Sequence, residues 1–162
     1  MMEIGEAYSI AKQLKEEITG KKIKKVEVGY SPHKFAFFSE DINIYNEIVN
    51  SIVDDIYSVG GYVEMKLDKY RLILGEGVSL RYLDKNQKLP EKHQLCIIFD
   101  DDSKIICSVQ MYGVMMVFKE DEFDNIYYQA ANKFPSPLTE EFSLEYFKEI
   151  YTNTKKSLSI KA

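Results

Sequence analysis

Apolar residues recur at Ile4, Ala7, Ala11, Leu14 and Ile18, in steps of three and four. That spacing lines one face of a helix that begins almost at the first residue. Gly20 ends the stripe with lysines just beyond it, which suits a helix C-terminus. The segment "KIKKVEVGY" then sets Ile23, Val26, Val28 and Tyr30 in an imperfect alternation, which predicts a strand. "SPHKFAFF" reads as a turn and an aromatic stretch, and "DINIYNEIVNSI" as a short helix with Asp41 near its cap.

The middle of the chain is strand-rich. "YVEMKLD", "YRLIL", "VSLRYL", "QLCIIFD", "SKIICSV" and "GVMMVF" are short β runs separated by "DKY", "GEG", "DKNQKLPEKH", "DDD" and "MYG". About six strands with no long helix between them predict an antiparallel sandwich rather than a doubly wound sheet. After Lys119 the pattern turns helical. "EDEFDNIYYQAANKF" is one candidate, and "TEEFSLEYFKEIY" another, with Pro137 before it and Thr139 as its N-cap. The expected fold is therefore α+β but mainly β. It is a two-layer antiparallel β-sandwich flanked by an N-terminal helix, packed through Ile4, Ala11, Leu14 and Ile18, and by C-terminal helices. The sandwich domain is expected over residues 1–138, and a helix and linker over 139–162. No internal repeat or low-complexity tract is visible.

Composition narrows the class. A chain of 162 residues is about one domain. It is 45% hydrophobic with 12 Tyr and 9 Phe, enough to build a core. Cys96 and Cys107 lie inside apolar runs and read as buried free thiols of a cytoplasmic protein. No apolar run approaches the roughly 20 residues of a membrane span, and a monomer without membrane contact is expected. A net charge of −5 argues mildly against a nucleic-acid partner. Binding needs only a local basic surface, however.

Motif chemistry is sparse. There is no Gly-rich phosphate loop, CxxC pair or HExxH, and His33 and His93 lack companion ligands in sequence, so no metal site is expected within the chain. "GEGVS" reads as turn chemistry between strands. Glu3 and Glu6 lie one turn apart at a helix start, where carboxylates complement the helix dipole.

Five segments, in order, resemble one family. "MMEIGEA" is similar to the Met-Pro-Glu-Leu-Pro-Glu opening of formamidopyrimidine-DNA glycosylases and endonuclease VIII proteins. "GKKIKKVEV" resembles the family's first strand, and "LPEKHQL" its Pro-Glu-Lys-His stretch. "MYG" stands where the family has Arg-Phe-Gly, and "PSPLTEEFSLEYF" resembles its Pro-x-Pro-Leu segment before a helix. The likeness runs the length of this chain but covers only the family's N-terminal half. Residues 139–162 would lead toward a helix–two-turn–helix module, and zinc is expected only in a C-terminal finger beyond it. No cofactor is expected in this chain.

The resemblance implies damaged duplex DNA as partner, with the damaged nucleotide flipped out and side chains wedged into the gap. It implies catalytic roles at the chain end: an amine nucleophile, here on Met1, with Glu3 moving protons and Glu6 at the second acidic position. It places Val78, Met111 and Tyr112 at the gap, and Arg81, Lys92 and His93 against the DNA backbone. Met111 cannot hydrogen-bond an orphaned base as arginine would, whereas Tyr112 keeps an aromatic wedge. Met2 replaces the nucleophilic proline, and Gly61 replaces a phosphate-binding lysine. The expected function is thus the N-terminal domain of a DNA glycosylase/AP lyase-like base excision repair protein with a degenerate nucleophile site, inactive as this fragment alone. The alternative is a non-catalytic DNA-binding or protein-interaction module that kept the fold.

Overall fold

The computed structural model describes residues 2–120 and 122–153. Met1, where the nucleophilic amine was expected, lies outside the described residues, as does most of the 139–162 segment's tail. In chain order the elements are α1 (Ile4–Ile18), β1 (Ile23–Val28), β2 (Ala36–Phe38), α2 (Ile44–Glu47), β3 (Asp55–Val59), β4 (Tyr62–Leu67), β5 (Tyr70–Leu83), β6 (Leu95–Phe99), β7 (Lys104–Lys119), α3 (Ile126–Lys133) and α4 (Leu144–Asn153).

The strands form a seven-stranded sheet in the order β1-β6-β7-β5-β4-β3, with β2 joining β7. All pairs are antiparallel except β2–β7, which is parallel. The sheet closes on itself as a sandwich because β5 and β7 each serve both layers. Residues Val78–Leu83 of β5 face Lys104–Val109 of β7, and Tyr70–Glu76 face Gly113–Lys119. One core lies between the layers. Leu95, Ile97, Phe99, Ile105 and Cys107 enter it from one side, and Met65, Leu67, Leu72, Leu74, Met115 and Val117 from the other.

The expected two-layer sandwich is therefore found, with changes in its parts. "YRLIL" and "VSLRYL" are one strand, as are "SKIICSV" and "GVMMVF". "GEG" and "MYG" are not turns but the point where both strands bend. The register breaks between Glu76 and Val78. A β-carbon on Gly77 would stand 2.5 Å from the Tyr112 carbonyl oxygen, so only glycine allows the strands to approach there. The "FAFF" stretch, expected as an aromatic segment after a turn, supplies the parallel strand β2.

Helix α1 buries Ala7, Ala11, Leu14 and Ile18 against β3 and β4. Burying a Leu or Ile side chain is worth about 1.5–3 kcal/mol, so this face fixes the helix. Ile4 departs from the expected stripe. It is 41% exposed, because the first turn runs past the sheet and over an open cavity. Gly20 ends α1 in the left-handed region, with φ +84°, as its position after the stripe implied. The last helix starts at Leu144, later than expected. The Ser143 hydroxyl, not Thr139, accepts the Tyr146 N–H at 3.1 Å, while Thr139 sits in a preceding turn.

Two polar clusters tie the layers and helices together. Lys21, two residues before β1, reaches Asp101 at 2.6 Å, Ser103 at 2.9 Å and Tyr82 at 3.0 Å. On the outer face of β4 and β5, the buried Glu64 carboxylate accepts the Tyr57 and Tyr128 hydroxyls, each at 2.6 Å. Arg71, also buried, stands 3.4 Å from Glu64 and pairs with Glu120. Phe118 and Phe123 stack at 4.3 Å beside Tyr128, which docks α3 on the sheet.

Candidate functional site

The start of α1, the β3–β4 hairpin, the β5 bend and α3 surround a cavity of about 990 Å³. Met2, Glu3, Ile4 and Gly5 form one wall, and Gly60, Gly61 and Tyr62 another. Glu76 closes one side, and Tyr127 and Ala131 of α3 the other. Glu3 is the N-cap of α1. Its backbone is extended, its carbonyl accepts the Ala7 N–H at 2.9 Å, and its carboxylate makes no capping bond. The carboxylate is thus left exposed at the cavity. Glu6, one turn on, is exposed and does not line it.

Two features of this cavity could not be read along the chain. Met2 is buried, and a β-carbon on Gly61 would stand 2.6 Å from the Met2 carbonyl oxygen. Backbone therefore occupies the space a side chain at position 61 would need. The second feature is Glu76, held at φ +60° by the bend in β5. A left-handed backbone at a non-glycine residue carries strain, and such strain concentrates at sites. Burial pushes the Tyr62 phenol above its ordinary range, and the Glu76 charge adds to that shift. Among the described residues lining the cavity there is no Lys, Arg or His. The described lining offers two carboxylates and two phenols, suited to hydrogen bonding and proton transfer.

Beside the cavity stands an exposed aromatic ridge. Glu76, which lines the cavity, faces Gly113 across the β5–β7 pair, so Met111 and Tyr112 lie on the neighbouring strand. Met111 is 65% exposed and Tyr112 48%. Tyr112 packs on Phe35 at a ring separation of 4.6 Å and stacks with Phe37 at 6.4 Å. Phe37 lies on β2 and Phe35 just before it, where the Phe35 carbonyl accepts the Gly113 N–H at 2.9 Å. The ridge is therefore backed by strand structure rather than carried on a loose loop.

The remaining expected contacts divide. Arg81 on β5 and Lys92 in the loop before β6 are exposed and free to meet a polyanion. Val78 is buried, facing Val109 within the sandwich, and offers no surface to fill a gap; Glu76 is the β5 residue that reaches the cavity. His93 is buried as well. Its Nδ1 lies 3.1 Å from the Pro90 carbonyl and its ring stacks on Tyr30 at 4.5 Å, so it cannot contact a DNA backbone. The sequence hid both because each sits inside a polar-looking segment that the sheet folds inward.

The bent β-sandwich with its N-terminal helix has the fold of the N-terminal part of solved formamidopyrimidine-DNA glycosylases. The chain is 24% identical over 161 residues to a formamidopyrimidine-DNA glycosylase of Streptococcus pneumoniae serotype 4, covering 98% of this chain and 57% of that protein. The same figures hold for the protein of S. pneumoniae strain R6. Among solved structures, MutM bound to DNA containing carbocyclic 8-oxo-G aligns with TM-score 0.70 and 22% identity, over 93% of this chain and 57% of that one. The Lactococcus lactis formamidopyrimidine-DNA glycosylase bound to abasic-site DNA aligns with TM-score 0.70 and 21% identity, over 93% and 58%. No protein-family model matches the chain. The chain thus spans little more than half the length of the relatives it matches, and the likeness expected from its opening and ordered segments is found.

Proposed function

We propose that this chain is the DNA-engaging N-terminal domain of a base excision repair protein of the DNA glycosylase/AP lyase type, with a degenerate nucleophile site. The observation that carries the reading is the adjacency of the exposed Met111–Tyr112 ridge and the Glu3–Glu76 cavity across the β5–β7 bend. A ridge wedged into a base stack opens the duplex, and a neighbouring cavity receives what is displaced. Several solved relatives hold damaged or abasic DNA, in keeping with that arrangement. Arg81 and Lys92 would supply backbone contacts.

The degenerate part of the reading rests on Met2 and Gly61. Position 2 has no proline, and position 61 has neither a lysine nor room for one. Glu3 would keep a proton-transfer position while the amine is displaced to Met1, and catalysis tolerates misplacement poorly: about 1 Å can cost roughly a hundredfold.

Two measurements on the 162-residue chain test this. Fluorescence anisotropy should show micromolar binding that favours an abasic-site duplex over an intact one. Borohydride, which reduces an imine to a stable adduct, should trap little or none of the chain on that duplex. Equal binding to both duplexes would favour a non-catalytic DNA-binding module, and absent binding a protein-interaction module. Efficient trapping would overturn the degenerate site.

A further inference from the structure

On the outer face of β1 and β6, away from the cavity, a separate set of donors converges. Glu27 and Cys96 face each other directly across the β1–β6 pair. His93 stands three residues before Cys96. A ring nitrogen of His93, the Cys96 sulfur and a Glu27 carboxylate oxygen all lie within 4.8 Å of one another. The histidine is 2% exposed and the cysteine fully buried. The Nδ1 of His93 is committed to the Pro90 carbonyl at 3.1 Å. Its Nε2 is buried with no hydrogen-bond partner among the described residues.

That pattern is unusual for a structural histidine. A buried polar nitrogen left unpaired costs about 1–3 kcal/mol, and proteins rarely leave one. A backbone carbonyl on one ring nitrogen fixes the tautomer and leaves the other nitrogen's lone pair free, as in metal-ligating histidines. We propose that Glu27, His93 and Cys96 form a binding site for a divalent transition-metal ion, and that their sulfur, nitrogen and oxygen donors select zinc.

The donor chemistry supports zinc. Borderline-soft Zn²⁺ accepts thiolate, imidazole and carboxylate together, and three protein donors leave a fourth position for water. Metal–ligand bonds of about 2.0–2.3 Å in a tetrahedron place donors about 3.3–3.8 Å apart. Closing the set therefore takes shifts of about 1 Å. Glu27 can supply much of that movement: it is only half-buried, and Lys25 at 2.6 Å is its ion-pair partner. The Cys96 thiol gives up its proton to solvent as its sulfur enters the coordination sphere. Sequence spacing could not show this site, because Glu27 lies on a different strand, far from His93 and Cys96 along the chain.

Cobalt and zinc titrations of the reduced, chelator-treated 162-residue chain test the proposal. One equivalent of Co²⁺ should bind with a near-ultraviolet thiolate-to-cobalt band, and Zn²⁺ should displace it and raise the melting temperature. Cys96→Ala should abolish the band. Losing even an outer partner of a metal ligand typically costs about 10–100-fold in affinity, so Glu27→Gln should weaken zinc binding at least about tenfold. Because Glu27 reaches the surface, that variant should keep the wild-type circular dichroism spectrum. No stoichiometric uptake, uptake without the band, or wild-type zinc affinity in Glu27→Gln would overturn the site.

Discussion

The carbonyl oxygen of Met2 lies 2.6 Å from where a β-carbon on Gly61 would stand. Two departures that look independent along the chain are thus one packing event. The Met2 backbone and Gly61 are packed against each other, so a side chain at position 61 needs the Met2 backbone to shift. Gly61→Ala should destabilise the domain by about 1–3 kcal/mol, since overpacking forces a backbone shift. Gly61→Lys should cost at least as much and should not yield borohydride adducts. Urea denaturation and trapping on an abasic-site duplex check both outcomes.

Glu64 is the keystone of the polar cluster under α3. It takes the Tyr57 and Tyr128 hydroxyls and stands beside the buried Arg71, and burial together with the Glu64 charge pushes both phenols well above their ordinary range. Glu64→Ala should cost about 1–3 kcal/mol, because it leaves the half-buried Tyr57 and Tyr128 hydroxyls without their acceptor while Arg71 keeps Glu120. Guanidinium chloride denaturation of the variant measures the difference. A loss below about 1 kcal/mol would contradict the cluster's role.

The Lys21–Asp101 contact predicts an acid limb in stability. Lys21 and Ser103 hold the Asp101 carboxyl at about 2, below its ordinary value. A carboxyl depressed in the folded state stabilises it above the unfolded value, and that contribution disappears as pH falls through the folded value. Stability should therefore drop between about pH 4 and pH 2, and Asp101→Asn should flatten that limb. Asp101 is substantially exposed, so the effect at neutral pH should stay within about 1 kcal/mol. Thermal melts across this pH range check it.

Tyr112→Ala should reduce binding to an abasic-site duplex by about 1–3 kcal/mol, the usual worth of an aromatic stacked on a base. The fold should be unaffected, since the ring is half-exposed. Lys92→Ala should instead weaken binding to intact and abasic duplexes alike and lower the salt slope by about 0.9. Anisotropy titrations at several salt concentrations separate the two. Equal losses for Tyr112→Ala on both duplexes would remove the wedge role.

Much of this architecture is written in local pattern. The α1 stripe holds at Ala7, Ala11, Leu14 and Ile18 because a helix face is set by neighbours three and four residues away. The sandwich follows from runs of β-branched and aromatic residues separated by breaks. What local pattern does not carry is whether a glycine ends a strand or bends it. Gly77 bends β5 because the Tyr112 backbone, 35 residues on, presses against it. The site shows the same division. Glu3 is legible from its place in the opening motif, whereas Glu76 gains its position from the bend. Val78 and His93 look like surface positions until the sheet encloses them.

Because β5 and β7 run unbroken through both layers, neither half of the sandwich can open without breaking the other's hydrogen bonds. Amide protons along Leu72–Leu74 and Ile105–Cys107 should therefore exchange with solvent through one global event, although they lie in different layers. The Met111–Tyr112 ridge and Glu76, one wall of the cavity, are mounted on this shared pair. The spacing between that ridge and Glu76 should therefore hold as long as the β5–β7 pair does.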